Sequence, residues 1–259
     1  MTDDRVLLAI DGTIATVTLN RPEKLNAIDP PMLDQLGAIL HRLDSDPDVR
    51  VVLLMGAGDR AFCVGADIAA WSALEPLDMW RRWVRDGHRV FDLLAGLRQP
   101  TIAVLDGYTL GGGLELALAA DLRLAADAIE LAAPETRIGT IPGWGGTRRL
   151  PQLIGPARAK QLVFAGARID AATAERWGLV NEAVPREDLM ARVNSLAAEI
   201  AANAPISVQL AKQAIDGSIG ENVAMTLEAM AGALAAGTED GREGIASFRE
   251  KRPARFTGR

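Results

Sequence analysis

Two carboxylates, Glu115 and Glu135, stand beside glycine-rich backbone, and that pairing is where the sequence first points to chemistry. Glu115 follows Gly111-Gly112-Gly113 in GYTLGGGLELALAAD, residues 107–121, with Leu and Ala around it. Burial disfavours a charged carboxylate, so a Glu in this setting has a raised pKa and can move protons near neutral pH. The glycines open a helical pattern carried by Leu114, Leu116 and Leu118. A helix start has unpaired N–H groups, and without a Cβ a ligand oxygen can come close to them. Such a place suits an oxygen that gains negative charge during a reaction.

Glu135 lies in APETRIGTIPGWGGTRRL, residues 133–150, just before a second glycine-rich stretch. In AFCVGADI, residues 61–68, an exposed N–H at Ala66 would be a second donor to the same oxygen. Each segment alone also has a plainer reading. The glycines would serve tight packing with Glu115 as a buried cap partner, Glu135 would be a loop carboxylate, and Asp67 would cap the next helix. Taken together, two carboxylates near an anion-stabilising helix start can relay protons to and from a bound water.

The elements that must position these groups alternate between strands and helices. Strands are expected at 6–10 and 14–19, joined by Asp11-Gly12, because Gly accepts the positive φ of a tight hairpin turn. A helix should start at Asp29, a good N-cap with Pro30 in the first turn, and bury Met32, Leu33, Leu36, Ile39, Leu40 and Leu43. The continuous apolar runs 51–55 and 101–105 suggest strands buried on both faces, and hence α/β layers with mostly parallel pairing. Beyond about residue 150 the chain turns to Ala-rich helices, with Leu189, Val193, Leu196 and Ile200 at helical spacing and Pro205 restarting a further helix.

Composition narrows the function class. With 259 residues, 49% hydrophobic, 24% charged and a mean hydropathy of +0.09, the chain describes a soluble globular protein. A net charge of −6 argues against nucleic acid or anionic lipid as a partner, and the helix at 32–46 is too acidic to bind RNA. A single cysteine, Cys63, excludes an internal disulfide framework, and a small buried hydrophobe is its better reading than a nucleophile. The opening residues lack a signal-peptide pattern and no run is long enough to span a bilayer, so a cytoplasmic location is expected. With only His41 and His88 besides Cys63, His/Cys metal spacing is absent. Residues 56–61 fit G-x-G-x-x-A after a strand, but the chain continues into Phe62-Cys63-Val64-Gly65 rather than a long helix, which disfavours a dinucleotide site.

In this order, GADI, GGGLELALAAD and PETRIGTIPG leading into GGTRRLP resemble the crotonase or enoyl-CoA hydratase/isomerase family, over about residues 6–252. The resemblance implies an α/β fold: a spiral of ββα turns, residues 1–195, with a helical C-terminal trimerisation region, 196–259, in a homotrimer or dimer of trimers. It implies that an acyl-CoA thioester carbonyl sits between the N–H groups of Ala66 and Gly112. Glu115 and Glu135 match the two glutamates of the family's hydratases, Glu135 as the acid toward C2 and Glu115 as the group that orients water, with the division held loosely. No metal or redox cofactor is implied, coenzyme A being part of the substrate. Lys24, Leu25, Ala66, Asp67 and Ile68 fall where the family contacts CoA, and Phe248 and Lys251 match residues that reach CoA, in some members from a neighbouring subunit; a solvated basic helix end explains the last two equally.

The family's isomerases often lack the glutamate matching Glu115, so hydration is favoured over double-bond migration, and over an inactive acyl-CoA-binding protein. Two departures stand out. Ala69 replaces a frequent Lys after the GADI-like motif, and Trp144 stands where many members have a small residue. With Trp71, Trp80 and Trp83 it suggests a narrowed or aromatic-friendly acyl pocket, or simply core packing.

Overall fold

The computed structural model describes residues 4–217 and 223–259. Val6–Asp11 (β1) and Ile14–Leu19 (β2) form the expected antiparallel hairpin, with Val6 opposite Leu19. Alternation in β2 buries Ala15, Val17 and Leu19 on one face.

From here the chain winds as a spiral. Val51–Gly56 (β3), Thr101–Leu105 (β5) and Leu122–Ala126 (β7) lie parallel in one sheet. Each leads into a short partner in a second sheet: Ala61–Cys63 (β4), Tyr108–Leu110 (β6) and Glu130–Ala132 (β8). Ile169–Asp170 (β9) and Glu182–Val184 (β10) complete sheets of order β1-β2-β3-β5-β7-β10 and β4-β6-β8-β9. A helical segment follows each strand pair: Arg85–Ala95, then Gly112–Ala117, then Gly146–Ala165. This is the α/β spiral of ββα turns that the sequence led us to expect.

The apolar runs behave as their composition dictates. Val51 to Leu54 and all of β5 are buried, as continuous apolar runs in a covered parallel sheet should be. Pro30–Ser45 covers one side with Met32, Leu33, Leu36, Leu40 and Leu43 inward, and the Asp29 carboxylate caps it by accepting from the Met32 N–H at 3.0 Å. Arg186–Ala201 buries Leu189, Val193 and Ala197 on the sheet. After β3 the chain turns straight into β4, so the glycine pattern at 56–61 lacks the helix that a dinucleotide site would need.

Beyond the spiral run Pro205–Gly217, Val223–Ala236 and Glu239–Glu250. The buried Asp240 accepts from the Thr257 and Gly258 N–H groups at 2.6 and 2.7 Å and so ties down the last residues. Among the described residues no helix is long and apolar enough to cross a membrane.

Candidate active site

The loop carrying Ala66 is held from one side only. Ile28 donates its N–H to the Gly65 carbonyl at 2.8 Å, and the Asp67 N–H returns to the Ile28 carbonyl at 2.7 Å. In extended chain successive peptide groups point opposite ways, so the Ala66 N–H is turned away from Ile28. The Ile28 strand is itself fixed by Asn26, fully buried, whose side-chain amide donates to the Ala57 and Ala61 carbonyls, each at 2.9 Å. Asn26 was not singled out from the sequence, although it sits within LNRPEKLNAI.

Gly112 opens the short helix Gly112–Ala117 and faces the same space. A Cβ placed on Gly112 would lie 3.4 Å from the Ala66 nitrogen and 2.8 Å from the Trp144 ring, while one on Gly65 would lie 2.9 Å from the Gly112 nitrogen. Two amides therefore flank one slot that side chains would fill. No acceptor among the described residues takes either N–H. The helix is only six residues long, because the chain turns after Leu118 to enter β7, so the individual N–H of Gly112 counts for more than a macrodipole.

Glu115, one turn in, is buried, as expected, and burial raises its pKa. The surroundings are less apolar than the sequence suggests. Oε1 accepts from the Trp144 N–H at 2.7 Å and the Gly146 N–H at 2.8 Å, and Oε2 faces the Gly143 N–H at 3.3 Å. These donors and the cation of Arg149 pull the pKa back toward the carboxylate form.

Glu135 begins the 3₁₀ turn Glu135–Ile138 beside Gly111, where a Cβ would meet its Oε1 at 3.4 Å. Both of its carboxyl oxygens are buried, and among the described residues no other residue donates a hydrogen bond to them. Burial, with the charge of Glu115 nearby, pushes its pKa up to about 7. The structure thus brings Glu115, Glu135, Gly112 and Ala66 to one locality from three chain segments.

The outer residues separate. Lys24 is exposed at the end of the 3₁₀ turn Pro22–Lys24 and Leu25 follows it in the left-handed region. Asp67 is committed to structure: it accepts from the Ala69 N–H and pairs with Arg21 at 3.1 Å. Ile68 is exposed, and Phe248 is 86% exposed on Glu239–Glu250, so it touches little of its own chain. Lys251 caps that helix in a left-handed conformation. Trp83 and Trp144 are buried against each other and Phe91, with ring centroids 5.1 and 5.2 Å apart, whereas Trp80 is on the surface. Core packing therefore accounts for Trp83, while Trp144 also forms a wall of the slot beside Gly112. Cys63 is buried with its thiol pushed up to about 12, which fits a packing role.

The chain is also similar to known proteins along nearly its whole length. The family model for enoyl-CoA hydratase/isomerase matches residues 9–259. The chain is 36% identical to a crotonyl-CoA hydratase of Syntrophomonas wolfei over 99% of both chains. It is 37% identical to a short-chain-enoyl-CoA hydratase of Clostridium acetobutylicum over 96% of both. A crystal structure of an enoyl-CoA hydratase from Bacillus anthracis superposes with a TM-score of 0.95 at 36% identity, covering 98% of this chain and all of that one.

Proposed function

The chain belongs to the enoyl-CoA hydratase/isomerase family, and from that premise we propose that it adds water reversibly to a 2-enoyl-CoA thioester. The thioester oxygen sits between the N–H groups of Ala66 and Gly112, which stabilise the enolate as charge moves onto it. The water oxygen bonds to C3 while Glu135 passes its proton to C2. Glu115 orients the water, and the proton that the water loses goes to the carboxylate pair, so the enzyme ends each turnover with the proton count it began with. No metal or redox cofactor is needed, because carboxyls carry the protons and amides carry the charge.

One observation carries the reading: two buried carboxyls of unequal hydrogen bonding lie beside two unpaired amides. Retention of Glu115 favours hydration over isomerisation. Trp144, packed against Gly112, favours a short acyl group, a reading that the names of the Syntrophomonas and Clostridium relatives also support. We further propose a cytoplasmic homotrimer or dimer of trimers, in which the exposed Met230, Leu234, Ile245 and Phe248 meet a neighbouring subunit and Lys24 and Lys251 face the CoA nucleotide.

The test is a spectrophotometric assay with crotonyl-CoA and a series of longer and aromatic enoyl-CoAs. Loss of the conjugated-thioester absorbance, falling off with chain length, is the expected result. Migration of the double bond in a 3-enoyl-CoA without hydration would install the isomerase reading instead. Silence across the series with retained CoA binding would leave an inactive acyl-CoA-binding protein. Undiminished turnover of long chains would remove the short-acyl preference alone.

A further inference from the structure

We infer that Arg149 is a positioning residue for this reaction: it locks the loop 143–146, whose amides in turn hold the Glu115 carboxyl, and it supplies the nearby positive charge. The inference rests on the hydratase reading for its kinetic consequences.

Arg149 lies in the first turn of Gly146–Ala165 with its side chain only 7% exposed. A guanidinium so placed must find acceptors, since burying an unpaired charge is costly. Nη1 donates to the Trp144 carbonyl at 3.1 Å, and Nη2 donates to Asp92 Oδ1 at 2.6 Å, across from the helix Arg85–Ala95. Trp144 is therefore gripped at its carbonyl by Arg149 while its N–H grips Glu115 Oε1 at 2.7 Å. The chain of contacts from Asp92 to the carboxyl passes through one residue besides Arg149.

The loop is shaped for this contact. Gly145 has φ +109°, and a Cβ there would sit 2.1 Å from Arg149 Nη1. Glycine is required twice over, for the backbone angle and for the room. A lysine would deliver charge to the same place but not the planar fork that binds a carbonyl and a carboxylate together.

Charge and geometry act on Glu115 together. The charged groups facing Glu115 are Arg149 and Glu135, and those facing Arg149 are Asp92, Arg148 and Glu115. Arg148 shares Asp92 Oδ1 at 2.9 Å but is itself exposed. Removing the Arg149 cation leaves Glu115 with burial less opposed, so its pKa rises and a higher pH is needed to ionise it.

Three variants separate the effects. In R149K the charge stays and the fork is lost. We expect kcat to fall about 10- to 100-fold, the size of effect that a small misplacement of a reacting group produces, with KM little changed and the acid limb of the pH–rate profile in its original place. In R149Q the same loss should come with the acid limb of kcat/KM moved to higher pH. D92N removes the surface anchor and should give a smaller kcat loss in the same direction with KM unchanged, and it decides the matter if the Arg149 variants do not fold. Wild-type kcat in R149K and D92N, or a loss confined to KM, would overturn the inference. A carboxyl ¹³C NMR titration of Glu115 in wild type and R149Q reads the coupling without turnover, and an unmoved titration overturns the electrostatic half. Should the wild-type protein fail to hydrate any enoyl-CoA while Glu115 still titrates higher in R149Q, the hydratase reading falls and the coupling stands.

Discussion

Glu115 and Glu135 are both buried glutamates in the same site, yet their niches differ in the supply of hydrogen-bond donors and of positive charge. Glu115 has amide donors from the loop 143–146 aimed at both oxygens and the Arg149 cation behind them. Among the described residues no other residue donates to Glu135, and only its own backbone N–H favours its charged form. Donors favour a carboxylate, while burial with few donors favours the protonated acid. Burial raises both pKa values, and at Glu115 donors from a neighbouring loop and a cation oppose it, a difference that can fit two identical side chains to different tasks in the addition of water. The two titrate as a coupled pair, so the difference describes a preference between microstates rather than two independent groups.

The largest effect should come from removing either titratable group. Glu135→Gln and, separately, Glu115→Gln should each lower the hydration rate about 10²- to 10⁴-fold while CoA-ester binding survives, since loss of one general acid–base group costs that much. Stopped-flow rates beside equilibrium binding would measure both. If one variant kept near-wild-type turnover, that glutamate would lose its catalytic assignment and the comparison would reduce to one working carboxyl.

The next effect is on stability and is peculiar to Glu135. Its folded pKa is about 7 against the ordinary value of 4.5. Between those values the native state holds a proton that the unfolded chain has released, so stability must fall as pH rises through that window and level off above it. The size is about 3 kcal/mol, at roughly 1.4 kcal/mol per pKa unit. Urea unfolding at pH 5 and pH 8 should show E135Q gaining on the wild type by that order at the higher pH. Equal wild-type and E135Q slopes against pH would mean that Glu135 is not held in a donor-poor pocket.

What could be seen of all this beforehand follows from the range of each interaction. The runs 51–55 and 101–105, the Asp29 cap and the stripe on Pro30–Ser45 are local patterns, and they appear where the residue order placed them. The glycines at 111–113 and both glutamates are likewise legible, because a residue type that chemistry demands stands beside a backbone that chemistry can use. The donors to Glu115 are another matter. They come from a loop 28 to 31 residues away, and the Arg149–Asp92 pair spans 57. Asn26 reaches 31 and 35 residues along the chain to fix the approach to Ala66. Such contacts leave no periodicity behind. Gly145, four residues before Arg149, takes part in one of them, and its role shows only in its left-handed backbone.

The smallest effect discriminates most sharply between the two niches, because it asks about hydrogen bonds rather than protons. Glutamine has the shape of glutamate but carries an NH₂ that cannot accept. In Glu115→Gln that NH₂ must face either the Gly143 N–H or the pair from Trp144 and Gly146, and whichever donor it meets loses its acceptor inside the protein. A buried donor left unsatisfied costs about 1–3 kcal/mol. In Glu135→Gln no bond to another described residue is broken, since none is made. At pH 5, where the neutral form of Glu135 dominates in the wild type, E135Q should melt close to wild type and E115Q measurably lower. Coincident melting curves for the two variants at that pH would erase the distinction between a carboxyl held by amides and one left bare, and with it the physical reason for giving them different tasks.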